Sequence, residues 1–238
     1  MNTQKEIIVK ALISLSGGMD SATVLAAALE QYSPGNVCCV GFTYGSKHNK
    51  YEASAAYDLA GYYGVPYDLL DLSVAFKSFK SDLLKTGGEI PEGHYEAESM
   101  RRTVVPGRNL IFLAVLAGYA ESHDFRDVWL GVHAGDHHIY PDCRPDFIWA
   151  AASAIKFATE GKVKIQTPFI HHTKGDILRR GLSLKVPYQL TRTCYKDQLV
   201  ACGKCGSCQE RLEAFRQNGV EDPLEYESRD PLPREGVS

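Results

Sequence analysis

Ser16-Gly17-Gly18-Met19-Asp20-Ser21 lies between an apolar run, residues 7–15, and a helical pattern that begins at Ser21. A strand, a tight glycine turn and a helix N-terminus in this order form a cradle for phosphate, because glycine lets the backbone approach an anion and the first N–H groups of the helix are unpaired. Asp20 adds a carboxylate that suits Mg²⁺. The loop is not of the Walker type, since no Gly-Lys-Ser/Thr follows it. The stretch therefore predicts a nucleotide-phosphate site, and the alternative is an ordinary glycine-rich turn.

Apolar runs and helical patterns alternate along much of the chain, which is typical of a parallel sheet covered by helices. The expected strands are residues 7–15, 37–43, 67–71, 128–132 and 163–166. The expected helices are residues 21–31, 49–63, 109–123, 145–158 and 174–184. We therefore predict an α/β fold with a doubly wound, mostly parallel sheet and helices on both faces. Ligands of such sheets bind beyond the carboxyl ends of the strands.

Two regions depart from this alternation. Residues 73–105 have a polar centre without clear periodicity. A loop of this length is typical of a lid or a binding loop, otherwise of a disordered insertion, and we favour a lid. After Pro187 the chain becomes rich in cysteine and glycine. We predict an α/β domain over residues 1–187 and a small lobe with a C-terminal tail over residues 188–238, which is not an independent domain.

Bulk composition excludes several classes of protein. The 238 residues carry a formal net charge of −3, which disfavours a nucleic-acid coat or a membrane-surface binder. No apolar run reaches the roughly 18–20 residues that a membrane helix needs, and the N-terminus lacks a signal-peptide pattern. We expect a cytoplasmic protein with no membrane partner and no stable nucleic-acid partner.

Cysteine usage indicates a metal site. Seven cysteines in a cytoplasmic protein favour metal binding or burial over disulfides. Four of them have the spacing C-x7-C-x2-C-x2-C: Cys194, Cys202, Cys205 and Cys208. This spacing matches a closed, structural zinc site, with an iron–sulfur cluster or unrelated buried cysteines as alternatives. Cys143 follows a predicted strand and could line the active site or pack beneath it.

Five motifs together point to one family. Residues 16–21 resemble the pyrophosphate loop (PP-loop) of ATP pyrophosphatases, which split ATP into AMP and pyrophosphate to adenylate a substrate. The sequences Phe-Thr-Tyr-Gly-Ser-Lys-His, Val-Pro-Gly-Arg-Asn, Tyr-Pro-Asp-Cys-Arg-Pro and Cys-Gly-Lys-Cys-Gly-Ser-Cys follow at residues 42–48, 105–109, 140–145 and 202–208. In this order they resemble the 7-cyano-7-deazaguanine synthases, zinc-containing ligases of queuosine biosynthesis, from about residue 7 to residue 226.

The resemblance implies a fold like that of the adenine nucleotide α-hydrolases, a homodimer, and ATP, Mg²⁺ and Zn²⁺ as cofactors. It implies that 7-carboxy-7-deazaguanine, ammonia and ATP are converted to 7-cyano-7-deazaguanine through an adenylated carboxylate and an adenylated amide. The residues expected to bind ATP belong to the loop and the helix after it: Leu15, Ser16, Gly17, Gly18, Met19, Asp20, Ser21 and Leu25.

Three charged residues are the expected catalytic groups. Asp20 lies in the loop, and Lys174 precedes a helix after the last predicted strand, where it could reach phosphate oxygens or remain a solvated helix-start lysine. Arg108 opens another helix and could bind phosphate or the edge of the base.

The expected substrate-binding residues follow the second and fourth predicted strands or open a helix: Tyr44, His48, Asn109, Asp136, Tyr140 and Asp142. A carboxylate after the fourth strand could pair with the guanidine-like edge of the deazaguanine, and the alternative is an Asx turn. For Asn109 the alternative is a helix cap. For His48 a structural role is the alternative.

Three other functions compete with this interpretation. A related ligase would stop at the amide and join the deazaguanine to an amine on a protein. A tRNA sulfurtransferase with a PP-loop would need a reactive cysteine, for which Cys143 is a candidate, and a basic RNA surface that the net charge disfavours. A zinc-finger module for nucleic acid would leave the phosphate loop without a purpose.

Overall fold

The computed structural model describes residues 10–137 and 139–233, without the side chains of residues 136 and 137. The described residues form one sheet in the order β3-β2-β1-β4-β5, and all neighbouring strands are parallel. Its strands are β1 (Ala11–Ser14), β2 (Val37–Thr43), β3 (Tyr67–Asp71), β4 (Asp127–Trp129) and β5 (Lys164–Gln166). The predicted parallel sheet is therefore confirmed, although residues 7–9 of the first predicted strand lie outside the described residues.

Helices cover both faces of the sheet. Successive residues of β1 alternate between two apolar clusters, since Ala11 and Ile13 pack into one and Leu12 into the other. The first cluster includes side chains of α1, α2, α6 and α7, and the second includes side chains of α4 and α5. The described helices are α1 (Met19–Ala28), α2 (Asn49–Tyr63), α3 (Ser73–Phe76), α4 (Arg108–Ser122), α5 (Pro145–Ala158), α6 (Lys174–Ser183) and α7 (Gly206–Gln217). The doubly wound fold is confirmed.

The strand order reverses beside β1. From β1 the chain adds β2 and then β3 on one side, and it returns to place β4 and β5 on the other. The loops that follow β1 and β4 therefore diverge from neighbouring strand ends and leave a crevice between them. The phosphate loop begins directly after β1, so it lies at this reversal.

The fourth strand and helix α7 differ from the predictions. The fourth strand ends at Trp129, not at Val132, because the chain then crosses the start of α1, where a Cβ on Gly131 would lie only 3.2 Å from the Ser21 nitrogen. Helix α7 was not predicted, because its first residues belong to the Cys- and Gly-rich pattern. The spacing of Leu212 and Phe215 along a run of good helix formers was the available signal.

Residues 73–105 pack on the cysteine-rich lobe. They contain α3 and a 3₁₀ turn at Glu98–Thr103. The Gly93 N–H donates to the Lys204 carbonyl at 3.0 Å, and His94 Nε2 lies 3.4 Å from the Glu213 carboxylate. These contacts join the two regions that depart from the βα alternation. That residues 73–105 act as a lid stays a prediction.

The lobe also packs on the sheet domain. The Arg192 N–H donates to the Gly17 carbonyl at 2.7 Å, and Ala214 and Phe215 of α7 join the first apolar cluster. The lobe thus reaches the phosphate loop directly. Among the described residues, no helix combines the length and the apolar character that crossing a membrane requires.

Candidate nucleotide-binding site

A cleft opens at the carboxyl ends of β1, β2 and β4, where the strand order reverses. Its walls come from the loops after these strands, from the first turns of α4 and α6, and from the cysteine-rich lobe. Most of the residues predicted from the sequence line it: Leu15, Ser16, Gly18, Met19, Asp20, Ser21, Tyr44, His48, Arg108, Asn109, Tyr140 and Lys174. The fold therefore brings together predicted residues that lie up to 159 positions apart, from Leu15 to Lys174.

The phosphate loop is held by its backbone. Gly17 has a φ of +85°, and a Cβ there would lie 2.5 Å from the Glu52 carbonyl oxygen, so only glycine fits between β1 and α2. Gly18 is the N-cap of α1, and the Ser21 hydroxyl donates to its carbonyl at 3.0 Å. The Ser16 N–H donates in turn to the Ser21 hydroxyl at 3.3 Å. The glycine geometry and the Ser21 hydroxyl therefore fix the conformation of the loop.

Asp20 and Lys174 form an ion pair beside this loop. Lys174 Nζ lies 3.2 Å from Asp20 Oδ2, and His133 Nε2 lies 3.6 Å from the same oxygen. The Gly135 N–H donates to His133 Nδ1 at 3.1 Å, which leaves the proton of the neutral ring on Nε2, towards Asp20. Burial raises the pKa of the Asp20 carboxyl, but the Lys174 and His133 interactions outweigh it and hold the pKa well below its usual range. Asp20 is therefore an anion at neutral pH.

The second oxygen of Asp20 suits a cation. Asp20 Oδ1 is buried and has no hydrogen-bond partner among the described residues. A buried carboxylate oxygen without a partner is costly, and a hard cation such as Mg²⁺ prefers this type of ligand. Asp20 therefore fits Mg²⁺ next to the phosphate loop.

Arg108 projects its charge among aromatic side chains. Its Nη1 lies 3.5 Å from the Tyr44 hydroxyl, and its guanidinium lies 6.0 Å from the centre of the Tyr44 ring. No carboxylate in the described part of the chain forms an ion pair with it. Phe42 and Phe112, whose rings stack at 4.3 Å, complete this wall. An unneutralised guanidinium in such a wall suits an anionic ligand.

His48 and Tyr140 meet at a tyrosine that sequence reasoning did not single out. The His48 ring lies 5.3 Å from the ring of Tyr195, and the Tyr195 hydroxyl lies 3.5 Å from that of Tyr140. His48 Nε2 also lies 3.2 Å from the Glu52 carboxylate. Planar rings around a cleft suit a planar base. Tyr195 follows Cys194 directly, and the only available signal was an aromatic residue beside a metal-type cysteine.

Asn109 and Asp142 bind each other. The Asp142 carboxylate accepts from the Asn109 N–H at 2.9 Å, and the Asn109 side-chain amide donates to the Asp142 carbonyl at 3.1 Å. The same amide contacts the sulfur of Cys143 at 3.2 Å. Asn109 and Cys143 line the cleft, whereas Asp142 lies behind them and caps the start of α4. Cys143 thus lines the cleft and also packs in the second apolar cluster.

Two of the predicted ATP-binding residues, Gly17 and Leu25, do not line the cleft. Leu25 is fully buried in the first apolar cluster and is not part of the cleft wall. It lies nearly two turns along α1, too far from the loop to reach the cleft. The side chain of Asp136 lies outside the described residues, as do those of His137 and His138.

Sequence reasoning missed two polar residues that line or adjoin the site. His133 contacts Asp20 from the loop after β4, and Glu210 contacts Lys174 from α7, with Oε2 at 2.6 Å from Nζ. No local pattern marks His133. Glu210 is two residues after Cys208, on the helix that was not predicted.

The four predicted cysteines converge. Their sulfur atoms lie within 4.8 Å of one another, and all four residues are buried. In a zinc–tetrathiolate, with Zn–S bonds of about 2.3 Å, the sulfur atoms are about 3.8 Å apart. Backbone N–H groups of Lys196 and Cys202 donate to Cys194 Sγ at 3.4 Å, which favours a thiolate. The cluster therefore fits a tetrahedral metal ion such as zinc.

The thiols cannot all ionise on their own. Hydrogen bonds from the Cys194 and Cys205 thiols lower the pKa of Cys202, whereas those with Cys194 and Cys202 raise the pKa of Cys208. Four thiolates in one buried space repel one another, so only a cation allows full deprotonation.

Fold and site together define the class: a nucleotide-binding α/β protein of the PP-loop type, with a cysteine cluster suited to a metal. A family model described as "Queuosine biosynthesis protein QueC" matches residues 10–219. The chain belongs to this family.

Similar proteins agree with this assignment. A 7-cyano-7-deazaguanine synthase from Marinomonas sp. (strain MWYL1) is 44% identical over 219 residues, which cover 92% of this chain and 99% of that protein. One from Pseudoalteromonas atlantica is 45% identical over 224 residues, with coverage of 93% and 100%. The solved structure of NMN synthetase from Francisella tularensis has a TM-score of 0.51 and 16% identity, and the match covers 90% of this chain and 79% of that one. This last likeness shows a shared fold.

Proposed function

We propose that this chain is an ATP-dependent carbon–nitrogen ligase that converts 7-carboxy-7-deazaguanine and ammonia to 7-cyano-7-deazaguanine. The names of its relatives support the product. The observation that carries the ATP chemistry is the Asp20–Lys174 pair, at 3.2 Å, beside a glycine loop at the strand-order reversal. Such a site suits the release of pyrophosphate, which carries the charge that the loop N–H groups and Lys174 stabilise.

The proposed reaction activates one carbon twice. A carboxylate oxygen attacks the α-phosphorus of ATP, the bond to the bridging oxygen breaks, and pyrophosphate leaves. Ammonia attacks the acyl carbon, AMP departs with the carboxylate oxygen, and a proton is lost to give the amide. The amide oxygen then attacks a second ATP, pyrophosphate leaves again, and loss of AMP and the remaining amide protons gives the nitrile. Both halves need a positioned acyl oxygen and a cleft protected from water.

Each charged residue has a proposed part in this chemistry. Lys174 binds phosphate oxygens as a point charge. Asp20 holds Mg²⁺, which when bound neutralises phosphate charge. Arg108, with no described carboxylate partner, binds either the substrate carboxylate or the α-phosphate. Removing one such preorganised donor typically costs about 100- to 1,000-fold in rate.

The base is proposed to lie against the aromatic wall, where Tyr44, His48 and Tyr140 supply planar contacts. Asn109 offers its side chain to the substrate, and Asp142 contributes by holding Asn109. Asp136 is proposed to pair with the guanidine-like edge of the base. The four cysteines are proposed to hold a structural Zn²⁺. A cytoplasmic homodimer, as the family resemblance implies, is part of the same proposal, and sedimentation of the purified protein tests it.

Mass analysis of one incubation tests the reaction. Purified protein is mixed with 7-carboxy-7-deazaguanine, ATP, Mg²⁺ and an ammonium salt, and we expect nitrile to form with one AMP for each adenylation. Amide without nitrile, or an adduct on a protein amine, would indicate the related amide ligase. Transfer of labelled sulfur to unmodified tRNA would indicate the sulfurtransferase.

A lysine variant tests the observation that carries the proposal. In Lys174→Met the apolar stem remains and the charge is lost, so AMP formation should fall by about 100-fold or more. Lys162→Met is the matched control, since Lys162 pairs with Glu121 on the surface and is 62% exposed. Equal rates in the two variants would contradict the proposed role of Lys174.

A further inference from the structure

Helix α7 brings a second carboxylate to the proposed phosphate-binding lysine. Glu210 Oε2 lies 2.6 Å from Lys174 Nζ, and both residues are only 8% exposed. Asp20 Oδ2 contacts the same ammonium at 3.2 Å. Lys174 therefore lies between two carboxylates, one from the phosphate loop and one from the cysteine-rich lobe.

The position of Glu210 is set by the packing of its own helix. Cys205 is the N-cap of α7 and Cys208 lies in its first turn, so the cysteine cluster anchors the start of the helix. A Cβ on Gly135 would lie 2.6 Å from Glu210 Oε1, so the loop after β4 lies against the carboxylate. The packing of α7 therefore fixes the position of the Glu210 carboxylate independently of its contact with Lys174.

The end of α7 is anchored to the start of α6. The Asn218 side-chain amide donates to the Gly175 carbonyl at 2.9 Å. A Cβ on Gly175 would clash with the Gln217 side chain, so the two helices pack closely beside Lys174. Helices α6 and α7 therefore hold Lys174 and Glu210 in a fixed relation.

Charge explains why two carboxylates are useful here. A buried ammonium without a counter-ion is strongly disfavoured. If Asp20 were the sole partner, Mg²⁺ would compete with Lys174 for the Asp20 carboxylate, and the phosphates of ATP would compete with Asp20 for the ammonium. With Glu210 in place, Lys174 would keep a counter-ion and a hydrogen-bond acceptor when Asp20 binds a cation.

We propose that Glu210 is a positioning residue, which holds the Lys174 ammonium at the place where the phosphates of ATP bind. This inference rests on the proposed function, in which Lys174 binds phosphate. A merely structural pair between α6 and α7 would affect stability alone. If Glu210 positions the ammonium, its replacement should also change the Kd for pyrophosphate. The direction of that change should depend on which residue replaces Glu210.

Pyrophosphate binding, measured by calorimetry without turnover, separates these roles. Glu210→Gln keeps an oxygen that accepts from Nζ and removes a negative charge near the anion, so its Kd should stay equal or fall. Glu210→Ala removes the acceptor and lets the ammonium move towards Asp20, so its Kd should rise about tenfold, which corresponds to ~1.4 kcal/mol. Glu221→Gln is the control, since its carboxylate is 86% exposed and does not line the cleft.

Steady-state rates are measured on the same proteins, together with metal content and denaturation midpoint. We expect the kcat for AMP formation to fall in Glu210→Ala and to recover in Glu210→Gln. A folded Glu210→Ala protein with unchanged or tighter pyrophosphate binding would overturn the proposal, and so would equal weakening in both variants. A wild-type protein that binds pyrophosphate but forms no AMP would instead overturn the proposed function, and the Kd values would still decide the role of Glu210.

Discussion

The phosphate loop and the cysteine cluster are built by opposite means. In the loop, residues 16–21, the chain conformation makes the site, since Gly17 adopts a φ of +85° where no side chain fits. In the cluster, four side chains make the site, and their sulfur atoms come within 4.8 Å of one another. The loop therefore depends on an absent side chain and the cluster on the presence of four. We therefore expect different effects from adding a methyl group to the loop and from replacing a sulfur atom in the cluster.

The largest expected effect is the loss of one cysteine ligand. Cys205→Ser replaces a thiolate with a poor zinc ligand and leaves three buried thiols close together. Structural zinc contributes about 10–16 kcal/mol in zinc-finger peptides, so we expect zinc to be lost together with at least several kcal/mol of unfolding free energy. Metal analysis and a urea midpoint measure both.

Cys38→Ser is the control for that experiment. Cys38 is a buried cysteine of β2 that lies outside the cluster. This variant should keep its zinc, whatever it loses in stability. If Cys205→Ser retained both zinc and stability, the cluster would not be a structural metal site.

The second effect concerns a buried ion pair of the lobe. The Arg211 guanidinium binds the Asp222 carboxylate twice, at 2.6 and 2.9 Å, and both side chains are fully buried. Arg211→Met would leave Asp222 buried without a counter-ion, which typically costs about 3–5 kcal/mol. Arg101→Met, at an exposed pair in which Arg101 Nε lies 2.7 Å from Glu98, should cost about 1 kcal/mol or less.

Urea midpoints of these two variants sharpen the comparison, because they separate the side chains of the lobe from its metal. We expect Arg211→Met to keep zinc in the protein that remains folded. A similar loss of stability in both variants would show that burial of the pair is unimportant.

The third effect is the addition of one methyl group to the loop. Gly17→Ala places a Cβ 2.5 Å from the Glu52 carbonyl oxygen at a φ of +85°. The left-handed conformation alone costs about 1–2 kcal/mol, and the contact with α2 adds to it. Because the loop would shift, ATP affinity should fall more than stability does, and calorimetry with ATP together with a urea midpoint measures both.

Gly35→Ala is the matched control for the loop variant. A Cβ on Gly35 meets nothing within 4 Å, so both quantities should stay near those of the wild type. If Gly17→Ala bound ATP as tightly as the wild type, the loop would not be the phosphate site.

The same contrast explains how much the sequence could predict. Apolar runs located all five described strands, and burial against helices on both faces requires such runs in the central strands β1, β2 and β4. The edge strands β3 and β5 are more exposed. The Gly-Gly pair located the loop, and cysteine spacing located the cluster. These are local patterns, formed by residues that lie close together in the sequence.

The rest depends on packing between distant segments. Glu210 meets Lys174 from 36 residues away, on a helix hidden by the cysteine pattern. Asn109 and Asp142 were both expected at the ligand, yet they bind each other. A polar motif alone does not reveal which of its members faces the cleft. The packing of α4 beside the loop after β4 determines which of these side chains faces the cleft.

The smallest expected effect on stability concerns the start of α6, the helix that carries Lys174. Thr173 and Asp176 form a capping box, in which the Thr173 hydroxyl accepts from the Asp176 N–H at 3.2 Å and the Asp176 carboxylate accepts from the Thr173 N–H at 3.1 Å. Thr173→Ala should cost about 1 kcal/mol of unfolding free energy, and Thr173→Ser, which keeps the cap, should cost less. Pyrophosphate affinity should change little in either, because Glu210 and not the cap positions Lys174. If Thr173→Ala weakened pyrophosphate binding as much as Glu210→Ala, the capping box would position the lysine, and the lobe would contribute only stability.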